Sequence, residues 1–193
     1  MRRSTLAFLL AAAVSTNAQQ PQKDSAVIGV VIDAATGAPI AGAIVTLRPS
    51  NPDLRVPLDS VTERAITTND GEFVFGPIGA ASYNLSASGA GYLGSGNGRQ
   101  RPDGPTQPVN VGEREVVDGL TIKMWRTAVV GGTVTDEFGE PVVGCLVNVV
   151  RRTWAAGRPR FEVVGTPATD DRGVYRIANL TPGEYAAFVP GMR

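Results

Sequence analysis

The sequence has no histidine and only one cysteine. Without histidine it cannot form a Ser-His-Asp triad, a Cys-His pair or a zinc site with imidazole ligands. A single cysteine also excludes an intramolecular disulfide and any metal site built from four thiolates. These absences remove many hydrolase and metalloenzyme classes, and the sequence predicts a protein that is not an enzyme and that holds no cofactor or metal.

An excess of basic residues is absent as well. The chain carries 18 Lys+Arg and 18 Asp+Glu, which gives a formal net charge of zero. Binding to nucleic acid requires a basic patch, so no nucleic-acid partner is expected. The hydrophobic fraction of 42%, with 23 glycines and 14 prolines, is that of a folded and turn-rich protein.

The N-terminus has the features of a secretion signal. Arg2 and Arg3 precede the apolar run Leu6–Val14, which is too short to span a bilayer, and small residues follow up to Ala18. We expect residues 1–18 to be a signal peptide that is cleaved after Ala18. No other run is long and apolar enough for a transmembrane helix. The expected location is therefore periplasmic, outer-membrane-associated or extracellular.

The remainder of the chain contains one pattern twice. In each copy a short apolar strand leads into a turn with glycine and proline, followed later by a second glycine turn and an aromatic strand. Gly37, Pro39, Gly42, Gly71 and Tyr83 recur 102 positions later as Gly139, Pro141, Gly144, Gly173 and Tyr185. The repeat predicts two homologous domains, 19–126 and 127–193.

Both copies consist of short segments with alternating apolar residues, which predict β-strands. The first strands are Val27–Asp33 and Val129–Asp136, and Val116–Trp125 is the closing strand of the first domain. Asn69-Asp70-Gly71 and Asp171-Arg172-Gly173 predict hairpin turns, because Asn or Asp before Gly favours such turns. After the signal peptide no segment shows helical periodicity, so the chain is expected to be all-β. The residues expected in the two cores are Val45, Leu47, Phe73, Phe75, Tyr83, Val147, Val149, Tyr175, Ile177 and Tyr185.

These motifs resemble the carboxypeptidase regulatory-like domain. The second copy is closer to the pattern, in Asp136–Gly144, Thr169–Arg176 and Leu180–Tyr185, whereas the first lacks the usual Pro-Gly in Ile78–Tyr83. The resemblance implies two tandem seven-stranded Greek-key sandwiches of the transthyretin-like type, a fold also classed as carbohydrate-binding-like. It implies no catalysis, since the catalytic zinc residues of the metallocarboxypeptidases that contain this domain belong to a different domain.

The two copies differ in what lies outside the repeat. The first domain contains a long loop, Gly94–Pro108, which has no apolar periodicity and is expected to be flexible. The second domain is expected to lack its last strand, because only four residues follow Val189. Either the chain is part of a longer protein, which is the simpler explanation, or a partner supplies the strand by strand exchange at that edge.

The function expected from this pattern is that of an exported, non-catalytic structural or binding module of the cell envelope. One alternative is a carbohydrate-binding module, and another is the N-terminal accessory region of a larger peptidase or TonB-dependent receptor. Carbohydrate or another envelope protein is the expected partner. The candidate ligand-binding residues are Trp154, Arg151, Arg152 and Arg158, because an exposed indole with guanidinium donors suits stacking on sugars or binding of acidic groups.

Overall fold

The computed structural model describes residues 24–51 and 61–191, and within these ranges all regular structure is β. The strands are β1 (Ser25–Asp33), β2 (Ile44–Pro49), β3 (Glu63–Ile66), β4 (Glu72–Ile78), β5 (Ala81–Ser88), β6 (Ser95–Gly96), β7 (Val109–Val111), β8 (Val116–Met124), β9 (Ala128–Thr133), β10 (Asn148–Ala155), β11 (Arg158–Gly165), β12 (Val174–Leu180) and β13 (Tyr185–Phe188). The predicted signal peptide lies outside the described residues. Among the described residues, no helix is long and apolar enough to cross a membrane.

The first eight strands form two facing sheets. One sheet has the order β4-β1-β8, in which β4 is antiparallel and β8 parallel to β1. The other has the order β3-β2-β5-β6, and β7 also pairs with β5. The predicted all-β sandwich is confirmed. The first domain has eight described strands instead of the expected seven, because the segment 94–108 itself contributes β6.

The core of this first sandwich follows from period-two alternation along its strands. In β1, Val27 and Val31 face inward and are fully buried, and β8 adds Ile122 and Met124, which are also fully buried. The two phenylalanines of β4 pack with their ring centroids 5.9 Å apart. All five core residues predicted for this domain are buried: Val45, Leu47, Phe73, Phe75 and Tyr83.

The prediction of hairpins at the two Asp-containing turns is wrong. A tight turn does form at Thr68–Gly71, where the Gly71 N–H donates to the Thr68 carbonyl. However, β3 pairs with β2 and β4 pairs with β1, so this turn carries the chain from one sheet to the other. The second copy does the same between β11 and β12. The Asp-Gly signal specifies the turn but not which strands pair.

The second half of the chain reproduces the hydrogen bonds of the first. The buried hydroxyl of Thr67 donates to one backbone carbonyl and accepts from one backbone N–H, and Thr169 makes the same two bonds. Gly71 accepts from the Val31 N–H as Gly173 accepts from the Val134 N–H. The two halves therefore share one local framework, in which β9 to β13 correspond to β1 to β5.

The second framework is less completely packed. Its strands form the sheets β11-β10-β13 and β12-β9, and the described residues contain no counterpart of β8. Val147 and Val149 are buried as predicted, whereas Tyr175, Ile177 and Tyr185 are only half-buried. Cys145 is also only partly buried, whereas Ala43, its counterpart in the first copy, is buried. Within residues 24–51 and 61–191, no strand comparable to β8 covers this end of the second sandwich.

Candidate functional site

The segment between β5 and β7 folds back onto the first sandwich. β6 pairs with β5, and the Asn97 N–H donates to the Leu85 carbonyl at 3.0 Å. The Gln107 N–H then donates to the Asn97 carbonyl at 2.8 Å, which closes the loop. The loop expected to be flexible is thus fixed at both ends by backbone hydrogen bonds.

Glycine is required where this loop approaches β5. A Cβ atom at Gly96 would lie 2.7 Å from the Thr106 methyl group and 3.0 Å from the Leu85 carbonyl oxygen. Both distances are shorter than ordinary van der Waals contact, so any side chain there would displace the opposite limb of the loop. The glycine-rich composition of the loop is therefore what allows it to form a wall beside the sheet.

A groove of about 400 Å³ lies between this wall and the outer face of the sheet. The sheet contributes polar side chains that alternate with the core residues of β2 and β5, and the loop contributes one guanidinium together with hydroxyl and amide groups. The polar lining residues are Thr46, Asn84, Ser86, Ser88, Ser95, Arg99, Thr106 and Gln107. The lining contains no carboxylate, so its only charge is positive.

Two polar groups of the lining residues have unused hydrogen-bonding capacity. Ser95 is 4% exposed, and its buried hydroxyl has no partner among the described residues. The Arg99 Nη1 donates to the carbonyls of Gly94 (2.9 Å) and Pro102 (3.4 Å), whereas its buried Nε has no partner. Buried donors without partners are uncommon in folded proteins, and at a groove they point to a ligand or to bound water.

The predicted site residues lie in the second domain, on the β10–β11 hairpin. Trp154 is 65% exposed, and the Arg152 guanidinium carbon lies 5.1 Å from the centroid of its indole ring. Arg152 also forms an ion pair with Glu184 at 3.1 Å. One face of the ring is therefore already in contact with a guanidinium group, and the indole remains largely open to solvent.

The other two predicted residues lie on the opposite face of this hairpin. Alternate residues of β10 point to opposite faces, so Arg151 and Ala155 lie on the face opposite Trp154. Arg158 is the ladder partner of Ala155 and therefore lies on the same face as Arg151. Arg151 forms an ion pair with Asp103 at 2.8 Å. This ion pair connects the loop between β5 and β7 to the β10–β11 hairpin. The structure thus brings Trp154 and Arg152 together but places the other two arginines elsewhere.

The most strongly perturbed ionisable group is Asp33, at the end of β1. This carboxylate is 2% exposed and accepts hydrogen bonds from Arg126 Nε (2.8 Å), the Tyr92 hydroxyl (3.0 Å) and the backbone N–H groups of Ala35 and Thr36. The Arg126 hydrogen bond, followed by that from Ala35, holds the pKa of Asp33 well below its usual range. The carboxylate accepts four hydrogen bonds, so it stabilises the turn after β1 and the chain after β8 instead of providing a free acid or base.

Comparison with known proteins identifies the first domain. Residues 26–118 match the family model of the carboxypeptidase regulatory-like domain. That domain is a non-catalytic module. The second domain lies outside the matched residues. No curated protein matches the sequence.

Several solved structures are similar in fold. A streptococcal ancillary pilin has a TM-score of 0.47 at 14% identity over 88% of this chain and 59% of its own. A minor pilin of Streptococcus agalactiae has a TM-score of 0.42 at 15% identity, over 88% of this chain and 84% of its own. A candidate carbohydrate-binding protein from Pseudomonas aeruginosa has a TM-score of 0.35 at 16% identity, over 56% and 92% respectively. The chain spans less than two thirds of the ancillary pilin's length.

The groove was not predicted from the sequence. The polar residues Asn84, Ser86 and Ser88 do alternate with core residues along β5, but that alternation is also typical of a solvated outer face. The glycine-rich loop predicted an irregular segment, and nothing in its composition indicated that it folds back onto β5. Only the β5–β6 pairing shows that these two segments form one site.

Proposed function

We propose that this protein is an exported, non-catalytic binding module whose ligand is a hydroxyl-rich molecule with a carboxylate, such as an acidic saccharide. The observation that carries the proposal is the groove beside β5. It combines neutral hydroxyl and amide groups with Arg99 as its only charged residue. Hydroxyl and amide groups can exchange hydrogen bonds with sugar hydroxyls, and a guanidinium group is suited to binding a carboxylate.

The groove contains no group that could carry out a reaction on such a ligand. Glycoside hydrolysis requires two carboxyl groups across a cleft, and this lining has none. The carboxylate with the most strongly lowered pKa, Asp33, is not among the lining residues and already accepts four hydrogen bonds. The site therefore supports binding without turnover, in agreement with the class of the matched domain.

Binding should be tested with the mature chain, residues 19–193, by calorimetry against a panel of uronate-containing oligosaccharides and their neutral counterparts. We expect the acidic member to bind about tenfold or more tightly than its neutral counterpart, because a hydrogen bond to a charged group contributes about 1.5–3 kcal/mol. Arg99→Gln should remove this preference. Asn84→Ala, on the exposed face of β5, should weaken both ligands by several-fold.

Trp154→Ala provides the control for this experiment. It lies on the second domain and should leave both affinities unchanged. The proposal is wrong if neither class of oligosaccharide binds, or if binding is unaffected by the two groove substitutions.

A second candidate site is the exposed indole of Trp154, which the sequence singled out. An indole that is 65% exposed next to a guanidinium can stack on a sugar ring. If the saccharide binds there, Trp154→Ala abolishes binding and Arg99→Gln has no effect. The same set of variants therefore distinguishes the two surfaces.

Export and domain context form the remaining part of the proposal. We expect a signal peptide cleaved after Ala18 and a location in the cell envelope, with the second domain as another copy of the first. Intact-mass measurement of the protein from its native source tests this. A mass about 2 kDa below the 20.2 kDa of the printed chain is expected after cleavage. A chain that retains Met1–Ala18 contradicts export by this route, and a much larger mass supports the alternative of an accessory region in a larger protein.

A further inference from the structure

The loop that forms the wall of the groove contains a tight turn at Arg101–Gly104. The Gly104 N–H donates to the Arg101 carbonyl at 2.9 Å, which closes the turn. Pro102 occupies the second position of this turn, where a proline fixes φ, and Asp103 follows it with an exposed side chain. Because the turn is closed by a hydrogen bond, Pro102 and Asp103 move together.

Arg99 connects this turn to the groove. Its Nη1 donates to the Pro102 carbonyl at 3.4 Å and to the Gly94 carbonyl at 2.9 Å, so one guanidinium group joins the turn to the start of the loop. The same guanidinium is the charged group of the groove lining. Its position in the groove therefore depends on where the Arg101–Gly104 turn lies.

The second domain holds this turn through Arg151 of β10. The Arg151 Nη2 donates to Asp103 Oδ2 at 2.8 Å, and the Arg151 side chain is only 21% exposed. A Cβ atom at Gly183 would lie 3.2 Å from Arg151 Nε, so the segment between β12 and β13 packs closely against this arginine. Arg151 is thus fixed within the second domain and contacts the loop of the first.

The hydroxyl of Tyr185, the ladder partner of Arg151 on β13, lies in the same cluster. Burial raises the pKa of Tyr185, and the charges of Arg151 and Asp103 act on this pKa in opposite directions. The Tyr185 hydroxyl donates to the Thr181 carbonyl, which ties β13 to the segment that packs against Arg151. Asp103 is therefore bound to an ordered part of the second domain.

We propose that Arg151 and Asp103 are positioning residues for the groove: through their ion pair, the second domain holds the loop that carries Arg99 and thereby sets the affinity for an acidic ligand. Neither residue is among those that line the groove, so both act through the loop. The ligand in this inference rests on the proposed function, whereas the position of the loop can be measured without a ligand. The second domain then contributes to the binding site of the first.

The first readout is the backbone order parameter of the Arg101–Gly104 turn, measured by NMR relaxation on the unliganded mature chain. In the wild type we expect the value of rigid backbone, about 0.85. Asp103→Ala keeps the backbone hydrogen bond of the turn but removes the ion pair, so the order parameters should fall toward the value of about 0.6 that is typical of flexible backbone.

The chain offers a matched control for the arginine. Arg151→Gln should have the same effect on the turn as Asp103→Ala. Arg152 is the next residue along β10, and it forms an ion pair with Glu184 inside the second domain at 3.1 Å. Arg152→Gln therefore removes an arginine and an ion pair of the same kind, and it should leave the turn rigid. The double variant Arg151→Gln/Asp103→Ala should resemble Asp103→Ala alone, because both substitutions remove the same contact.

The second readout is the affinity for an acidic oligosaccharide and for its neutral counterpart. When the turn is mobile, Arg99 must be ordered again as the ligand binds, and this ordering lowers affinity. We expect Asp103→Ala to weaken the acidic ligand about threefold, since an exposed ion pair changes an equilibrium constant by at most about fivefold. The neutral ligand should be unaffected, whereas general damage to the groove would weaken both ligands.

Three results would overturn the proposal: a rigid turn in Asp103→Ala, an equally mobile turn in Arg152→Gln, or an unchanged affinity for the acidic ligand despite a mobile turn. If no oligosaccharide binds to the wild type, the proposed function is wrong and the affinity part of this inference falls with it. Unchanged order parameters together with normal binding contradict this inference alone. Asp103 lies on an exposed turn, so the outcome does not depend on whether the Arg151→Gln variant folds.

Discussion

Gly29→Ala is expected to destabilise the first domain by about 3 kcal/mol, the upper end of the usual cost of overpacking. The added methyl group would lie 2.5 Å from the Leu120 carbonyl oxygen and 2.9 Å from the Leu120 Cβ. Backbone cannot move out of the way as a flexible side chain can, so β8 must shift along its length. That shift would disturb Ile122 and Met124, which are fully buried in the core.

The measurement is denaturant unfolding of the mature chain, followed by the fluorescence of Trp125, which directly follows β8 and is half-buried. Trp154→Phe in the background removes the only other tryptophan. Gly132→Ala is the matched control and should change stability by less than about 1 kcal/mol, since only the Tyr175 side chain must move. Equal losses of stability in the two variants would contradict this difference in packing beside the two glycines.

Asp33→Ala is expected to cost about 2–3 kcal/mol, because the four donors that bond to this buried carboxylate lose a charged acceptor. Most of this stability is lost because the backbone N–H groups of Ala35 and Thr36 and the Tyr92 hydroxyl no longer have an acceptor. Arg126 contributes less, since its side chain is 72% exposed and can be solvated by water. Asp136→Ala in the second domain is the control, and it should cost less because Asp136 accepts only from two exposed backbone N–H groups.

The contribution of Asp33 to the free energy of unfolding should also depend on pH in a definite direction. The folded pKa of Asp33 is held below the unfolded value of about 3.9, so folding favours the ionised form. The stabilisation is fully present above the unfolded pKa and is lost as the pH falls through the folded value. The stability difference between wild type and Asp33→Ala should therefore be constant from about pH 5 to 7 and should shrink below about pH 4. A difference that grows on acidification would show that Asp33 is protonated in the folded protein.

The sandwich fold could be predicted because several independent signals in the sequence agree. Period-two alternation placed Val45 and Leu47 in the core, and the repeated glycine and proline turns marked the strand ends. The pairing of the strands was harder to predict. Gly71 specifies a tight turn through its positive φ of 73°, but the sheet to which each flanking strand belongs depends on contacts distant in sequence.

The groove could not be predicted for a related reason. Its two walls are β5 and the loop around Arg99, and only their pairing makes them one surface. The exposed aromatic chosen from the sequence, Trp154, does lie at the surface next to an arginine. Nevertheless, the four predicted residues divide between the two faces of one hairpin, because residues adjacent along a strand point to opposite sides. Their role as a ligand site stays a prediction.

An NMR titration tests the proposed function most directly. The backbone amide spectrum of the mature chain would be recorded during addition of an acidic oligosaccharide from the panel and, separately, of its neutral counterpart. We expect saturable shifts concentrated at residues 84–88 and 94–107 in the first domain, and larger shifts for the acidic ligand. Shifts confined to the β10–β11 hairpin, or no shifts with either ligand, would contradict the assignment of the groove as the binding site.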